Sequence, residues 1–152
     1  MMRAFFITTC VLSLIYIVGS FGIASQVQSY EWMSYSSYDT YDSYDSYDPY
    51  SYDFEHEADE ATQVGGVISV IYMLISAVVF MLALMKIKTQ TMKIMSIIGI
   101  SISGLFLLWA FLPMTSPGSV SFDEVGPAFA LAGVALLAFN IVGMIHAFKT
   151  ST

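Results

Sequence analysis

Residues 64–85 read VGGVISVIYMLISAVVFMLALM, with no Asp, Glu, Lys or Arg among them. A helix of roughly 20 apolar residues crosses a hydrocarbon core of about 30 Å. In lipid the backbone must satisfy its own hydrogen bonds, so a run of this kind is a helix. Working outward, residues 4–23, 94–112 and 128–148 form three more such runs, again without those four residue types. The expected fold is therefore all-α and integral to a membrane. Four transmembrane helices form a compact bundle, and a disordered Tyr/Asp/Ser-rich loop lies outside it. A chain of 152 residues has room for one such domain.

Hydrophobic residues make up 57% of the chain and charged residues 11%, and the charges are segregated. Arg3 precedes the first run, Lys86, Lys88 and Lys93 join the second to the third, and Lys149 follows the fourth. Alternate crossings put all of them on one side, which the positive-inside rule makes the cytosol. The other side receives 26–63 and 113–127, which hold all 12 acids. The expected order is thus a first span within 1–25, an extracytosolic loop at 26–63, and a span at 64–85. A basic cytosolic turn at 86–93, a span at 94–112, an extracytosolic loop at 113–127, a span at 128–148 and a cytosolic tail at 149–152 complete it. Both termini are expected in the cytosol and the protein in the cytoplasmic (plasma) membrane. A net charge of −7 argues against nucleic acid as a partner.

The first span reads as a signal anchor. Gly22-Ile23-Ala24 offers a signal peptidase the small residues it needs, but the apolar run exceeds the usual limit of about 15 residues. Cleavage would leave three helices with the same orientation. Glu57, Asp59 and Glu60 are expected just before the second helix, and Asp123 and Glu124 just before the fourth, where carboxylates complement a helix dipole. Pro127 is expected in the first turn of the fourth helix, which tolerates its missing N–H. Cys10, the only cysteine, permits no intrachain disulfide and reads as a small packing residue.

Small and polar residues recur at three- and four-residue spacing in every run: Thr9, Ser13, Tyr16 and Ser20; Gly65, Ser69, Tyr72, Ser76 and Ala83; Ser96, Gly99, Ser103 and Ala110; Gly126, Ala130, Gly133, Asn140 and Ala147. That spacing puts each set on one helix face and suits close packing in lipid, where the hydrophobic effect does not drive association. A second reading makes Tyr16, Ser69, Tyr72, Ser76, Ser96, Ser103 and Asn140 the lining of a narrow hydrated path. His146 lies within a turn of Lys149, where a cationic imidazole suits a helix C-terminus. The runs hold none of the ionisable groups that proton pumps and ion-coupled carriers use.

Within the first outer loop Tyr38, Tyr41, Tyr44, Tyr47 and Tyr50 recur every third residue, as do Asp39, Asp42, Asp45 and Asp48. This is a low-complexity repeat with few aliphatic residues to bury, and it is expected to be disordered. Extended in polyproline II, its carboxylates would stand about 9 Å apart, too far for the six to eight oxygens of a calcium ion. Weak, non-specific cation attraction is expected instead, with Glu55, His56, Glu57 and Glu60 the remaining candidates for a specific site. Tyrosine gives large amphipathic contact at low entropic cost, so the tract is expected to dock a partner or the headgroup layer if it is not simply solvated.

No phosphate-binding glycine loop, Gly-x-Ser-x-Gly or His-Glu-x-x-His is present, and His56-Glu57-Ala58-Asp59-Glu60 ends in Glu. The chain also lacks the Cys-Cys-Gly motif of tetraspanins and the Trp-Cys-Cys signature of claudins. No catalytic residue, cofactor or metal ligand is assigned. The expected function is that of a non-catalytic accessory or scaffolding subunit. Its partners are the lipid bilayer and another membrane or extracytosolic protein, or a second copy. The alternative is a passive channel or small-solute facilitator. In a Cys10→Ala background, a cysteine at Ser46 should react with an impermeant maleimide on intact cells while one at Thr89 stays unlabelled; the reverse pattern would overturn the charge argument.

Overall fold

The computed structural model describes residues 2–38, 49–86, 89–116 and 118–149. They form four helices, α1 (Met2–Tyr38), α2 (Pro49–Lys86), α3 (Gln90–Thr115) and α4 (Phe122–Lys149), with no strand among them. Each is long and apolar enough to cross a membrane. They pack as a bundle in which successive helices run antiparallel. The α1/α4 and α2/α3 interfaces are the most extensive, α1/α2 joins the two pairs, and α3 and α4 meet more sparsely. Arg3, Lys86, Lys93 and Lys149 lie at one end of the bundle, and Glu31, Asp59, Asp123 and Glu124 toward the other.

The seam that holds the bundle combines small and polar side chains with large buried ones, Phe6, Met73, Phe80, Phe122, Phe129 and Leu136 among them. Every residue of the four expected stripes is buried. Large aliphatic residues such as Val18, Ile71, Leu108 and Leu131 face outward instead. A soluble bundle arranges these types the other way round, so this distribution is compatible with an integral membrane protein. Glycines set the closest approaches. A Cβ on Gly126 would lie 3.0 Å from that of Ala24, and one on Gly66 would lie 3.2 Å from the Ala110 carbonyl. One on Gly143 would overlap the fully buried Phe6 ring.

Two of the helices differ from the expected spans. Residues 26–38 continue α1 and 49–63 begin α2, so most of the expected loop is helical. The physical reason is that the seam does not stop where the apolar run stops. Ala24, Val27 and Ser34 on α1, with Ala58 and Thr62 on α2, are buried at the same spacing. The serines of this stretch bond back onto their own helix, Ser25 to the Gly22 carbonyl at 2.8 Å and Ser29 to that of Gln26 at 3.1 Å, so they do not unwind it. Pro49 is the first residue of α2, where its missing N–H removes no helical bond. The repeat at 39–48, with the expectation of its disorder, lies outside the described residues.

Helix ends move accordingly. Glu57, Asp59 and Glu60 lie two to three turns into α2 and do not serve its N-terminus. Asp123 and Glu124 occupy the first turn of α4 rather than preceding it. That leaves Pro127 in the second turn, where it removes the bond to the Asp123 carbonyl. α3 runs through Pro113 to Thr115, and the Ser116 N–H closes it on the Leu112 carbonyl at 3.0 Å. Gly118 then takes φ +80 in the turn to α4.

Gly143→Ala should lower the thermal stability of the protein in mild detergent by about 1–3 kcal/mol, because the fully buried Phe6 ring must shift to admit the methyl group. Gly22→Ala, whose Cβ would meet nothing within 4 Å, should cost nothing and gain up to about 1 kcal/mol of helix propensity. Equal losses in the two variants would refute the close-approach account.

Candidate functional site

The α1/α2 seam carries a reciprocal clasp. Tyr16 of α1 donates its hydroxyl to Ser69 Oγ of α2 at 2.9 Å, while Tyr72 of α2 shares a 2.7 Å bond with Ser13 Oγ of α1. The two rings stack with centroids 4.0 Å apart and planes 12° from parallel. Ser13 and Ser69 are held in turn by their own helices, donating to the Thr9 carbonyl at 2.7 Å and the Gly65 carbonyl at 2.8 Å. Gly133 of α4 makes room for the pair, since a Cβ there would stand 3.0 Å from the Tyr16 ring.

This symmetry has a sequence signal. Residues 13–20 read SLIYIVGS and residues 69–76 read SVIYMLIS, so Ser-x-Ile-Tyr-x-x-x-Ser occurs once in each helix. Two antiparallel copies bring each tyrosine to the other's first serine. Reading the helices separately places these residues on the seam but misses their pairing.

The path-lining set is accordingly divided. Tyr16, Ser69 and Tyr72 are engaged in the clasp. Ser76, Ser96 and Ser103, together with both polar atoms of Asn140, are buried and make no hydrogen bond. Ser76 sits beside the Tyr72 hydroxyl without completing a bond to it. An unpaired buried amide costs several kcal/mol in an apolar medium. A typical interhelical hydrogen bond returns only about 0.6 kcal/mol.

At the basic end Arg3 donates to the carbonyls of Ala147 at 3.2 Å and Phe148 at 3.4 Å, and its guanidinium lies 4.6 Å from the centroid of the Phe148 ring. It thereby meets the last carbonyls of α4 with positive charge. Thr89 occupies the N-cap of α3, but its hydroxyl makes no cap bond and pairs with His146 Nε2 of α4 at 3.0 Å. His146 thus ties the α2/α3 turn to α4, a role beyond its position at a helix end.

At the acidic end Glu31 of α1 faces Ser121, Asp123 and Glu124. Partial burial pushes its carboxyl above the usual range, and the two neighbouring carboxylates add to the rise, outweighing the opposing Ser121 hydroxyl. Glu55, His56, Asp59, Glu60 and Gln63 share one shallow groove on α2, while Glu57 lies off it. Among the described residues no three His, Cys, Asp or Glu side chains converge as metal ligands would.

Tyr16→Phe and Tyr72→Phe should each keep the ring stack and lower stability by about 0.6 kcal/mol, and by no more than about 1.7 kcal/mol, in thermal unfolding. Glu31 generates a pH dependence of definite sign. Its folded pKa lies above its unfolded one, so the native state holds the proton more tightly and stability rises as pH falls toward the carboxylate range. Glu31→Gln should raise stability at neutral pH and flatten that part of the profile. An unchanged slope would remove Glu31 as its source.

No protein-family model, no curated protein and no solved structure matches this chain.

Proposed function

We propose that the protein is a non-catalytic subunit of the cytoplasmic (plasma) membrane, an accessory or scaffolding component that presents its acidic Tyr/Asp repeat to a protein partner outside the cytosol. The observation that carries this reading is the continuity of the helical seam. The buried spacing of α1 and α2 runs without interruption from the apolar segments through Val27, Ser34, Ala58 and Thr62. The chain on either side of 39–48 is therefore a packed helical hairpin. A stiff support suits a presented ligand better than a floppy loop, because less freedom is lost when a partner binds. The charge asymmetry supports an orientation with Arg3, Lys93 and Lys149 in the cytosol.

Isolation from native membranes in mild detergent should yield a stoichiometric second protein. Replacing 39–48 by a Gly/Ser segment of equal length should leave the bundle folded and inserted but lose that partner. A monodisperse particle with no companion, or full partner retention by the replaced variant, would count against the proposal.

One observation favours a second reading, that of a passive facilitator for water or small polar solutes: the unpaired buried groups of Ser76, Ser103 and Asn140. Against it stands the clasp, whose hydroxyls are already paired with each other. Purified protein in liposomes would decide. Permeability that rises above empty vesicles and changes in Tyr72→Phe/Ser76→Ala would support facilitation, and flux equal to empty vesicles would remove it.

A further inference from the structure

At the basic end, two sets of contacts draw three helix ends together. The Thr89 hydroxyl, at the start of α3, meets His146 Nε2 near the end of α4 at 3.0 Å. Arg3, at the start of α1, donates to the carbonyls of Ala147 and Phe148, which give this end of α4 its partial negative charge. The first of these contacts also fixes which faces meet. Lys93 donates its backbone N–H to the Thr89 carbonyl at 3.1 Å, so it stands one turn along the same face of α3. Lys149 is three residues past His146, a spacing that makes the two neighbours on the surface of α4. Both lysines are exposed. Each lies within about one turn, roughly 5.4 Å along its helix, of the Thr89–His146 contact. Among the described residues every side-chain carboxylate lies toward the opposite end. The ends of α3 and α4 thus share one cationic patch.

This surface changes character one turn further along. Ile97, four residues beyond Lys93, is 52% exposed, and Ile145, four residues before Lys149, is 48% exposed. Residues four apart share a helix face, so the same two faces are charged at their ends and apolar just inside. Lys93 immediately precedes the apolar run at 94–112, and Lys149 immediately follows the run at 128–148. With these runs in a bilayer, the ammonium groups stand at the level of the headgroups and the isoleucines lie among acyl chains.

We propose that this surface holds an anionic phospholipid, with its phosphate at Lys93 and Lys149 and its acyl chains along Ile97 and Ile145. The pairing of charge with adjacent apolar surface selects the ligand. A soluble phosphate would use the lysines and leave the isoleucines without a role, whereas a phospholipid matches both. A zwitterionic headgroup carries its own cation and gains less from the patch. Basic residues at the cytosolic ends of transmembrane helices bind anionic headgroups by this chemistry. The inference rests on the reading of the apolar runs as membrane spans and not on any partner of 39–48.

The test uses the full-length protein, stripped of lipid in a mild non-ionic detergent and titrated with phosphatidylglycerol or phosphatidylcholine. Bound lipid is followed by native mass spectrometry. Phosphatidylglycerol should stay bound through washes that remove phosphatidylcholine, and inorganic phosphate should not displace it. A lysine beside an anionic surface is worth about fivefold in affinity. Lys93→Gln/Lys149→Gln should therefore bind phosphatidylglycerol about 25-fold more weakly, and Lys93→Arg/Lys149→Arg should restore binding. Equal retention of the two lipids, or unchanged affinity in the glutamine variant, would overturn the proposal. Displacement by inorganic phosphate would overturn it too, by assigning the patch to a soluble anion. Should the glutamine variant fail to fold, the comparison of the two lipids on the unaltered protein decides. Carbonate extraction of native membranes reads insertion separately, so a protein that stays inserted yet does not discriminate between the lipids sinks this inference alone.

Discussion

The bundle is held by close approach between helices long and apolar enough to cross a membrane, and in lipid such helices would have little hydrophobic reason to associate. Two tyrosine rings stacked 4.0 Å apart set that approach at the α1/α2 seam, and the glycines of α4 accept what the rings displace. From this one constraint the rest of the seam follows. Residues at seam positions are small, or are large side chains seated against small ones, as Phe6 is at Gly143 and Phe80 at Gly99. Hydroxyls of Thr9, Ser13, Ser69 and Tyr16 find a carbonyl one turn back or a partner across the interface. Large aliphatic side chains are left for the outer surface. Dispersion and a few hydrogen bonds then replace the hydrophobic collapse that assembles a soluble bundle.

Polar groups inside the bundle fall into two classes with different consequences. Ser13, Ser69, Tyr16 and Tyr72 form a closed set in which each hydroxyl has a partner, so removing one costs little and rigidity is shared. Asn140, Ser76, Ser96 and Ser103 form an open set. Retaining an open set in a low-dielectric interior needs a compensating interaction. Paired groups rigidify the α1/α2 seam, while unpaired groups lie on α2, α3 and α4. Arg3, Thr89 and His146 brace the basic end.

Much of this arrangement was legible in the residues. The stripe from Thr9 to Ser20 and the one from Gly126 to Ala147 identified the buried faces of α1 and α4, because a 3.5-residue spacing survives any composition. What composition obscured was extent. Gln26, Ser29, Glu31 and the serines beyond read as a polar loop, yet Ala24, Val27 and Ser34 keep the same spacing through them and hold the helix together. Periodicity was the better guide than polarity. The cross-helix pairings were illegible for a different reason: Ser13 with Tyr72, or Thr89 with His146, depends on register, and register is fixed by three-dimensional contact. Glu31 likewise has no visible partner in the chain around it, since Asp123 and Glu124 arrive from a helix some ninety residues away.

The extension of α1 has an electrostatic consequence. A helix rises about 1.5 Å per residue, so residues 26–38 carry the chain some 20 Å beyond the end of the first apolar run. Charges at physiological ionic strength are screened over about 8 Å. With a bilayer centred on the apolar runs, the far end of this hairpin stands more than one screening length from the plane of lipid headgroups. On the proposed function, recognition there is decoupled from the surface potential of the membrane.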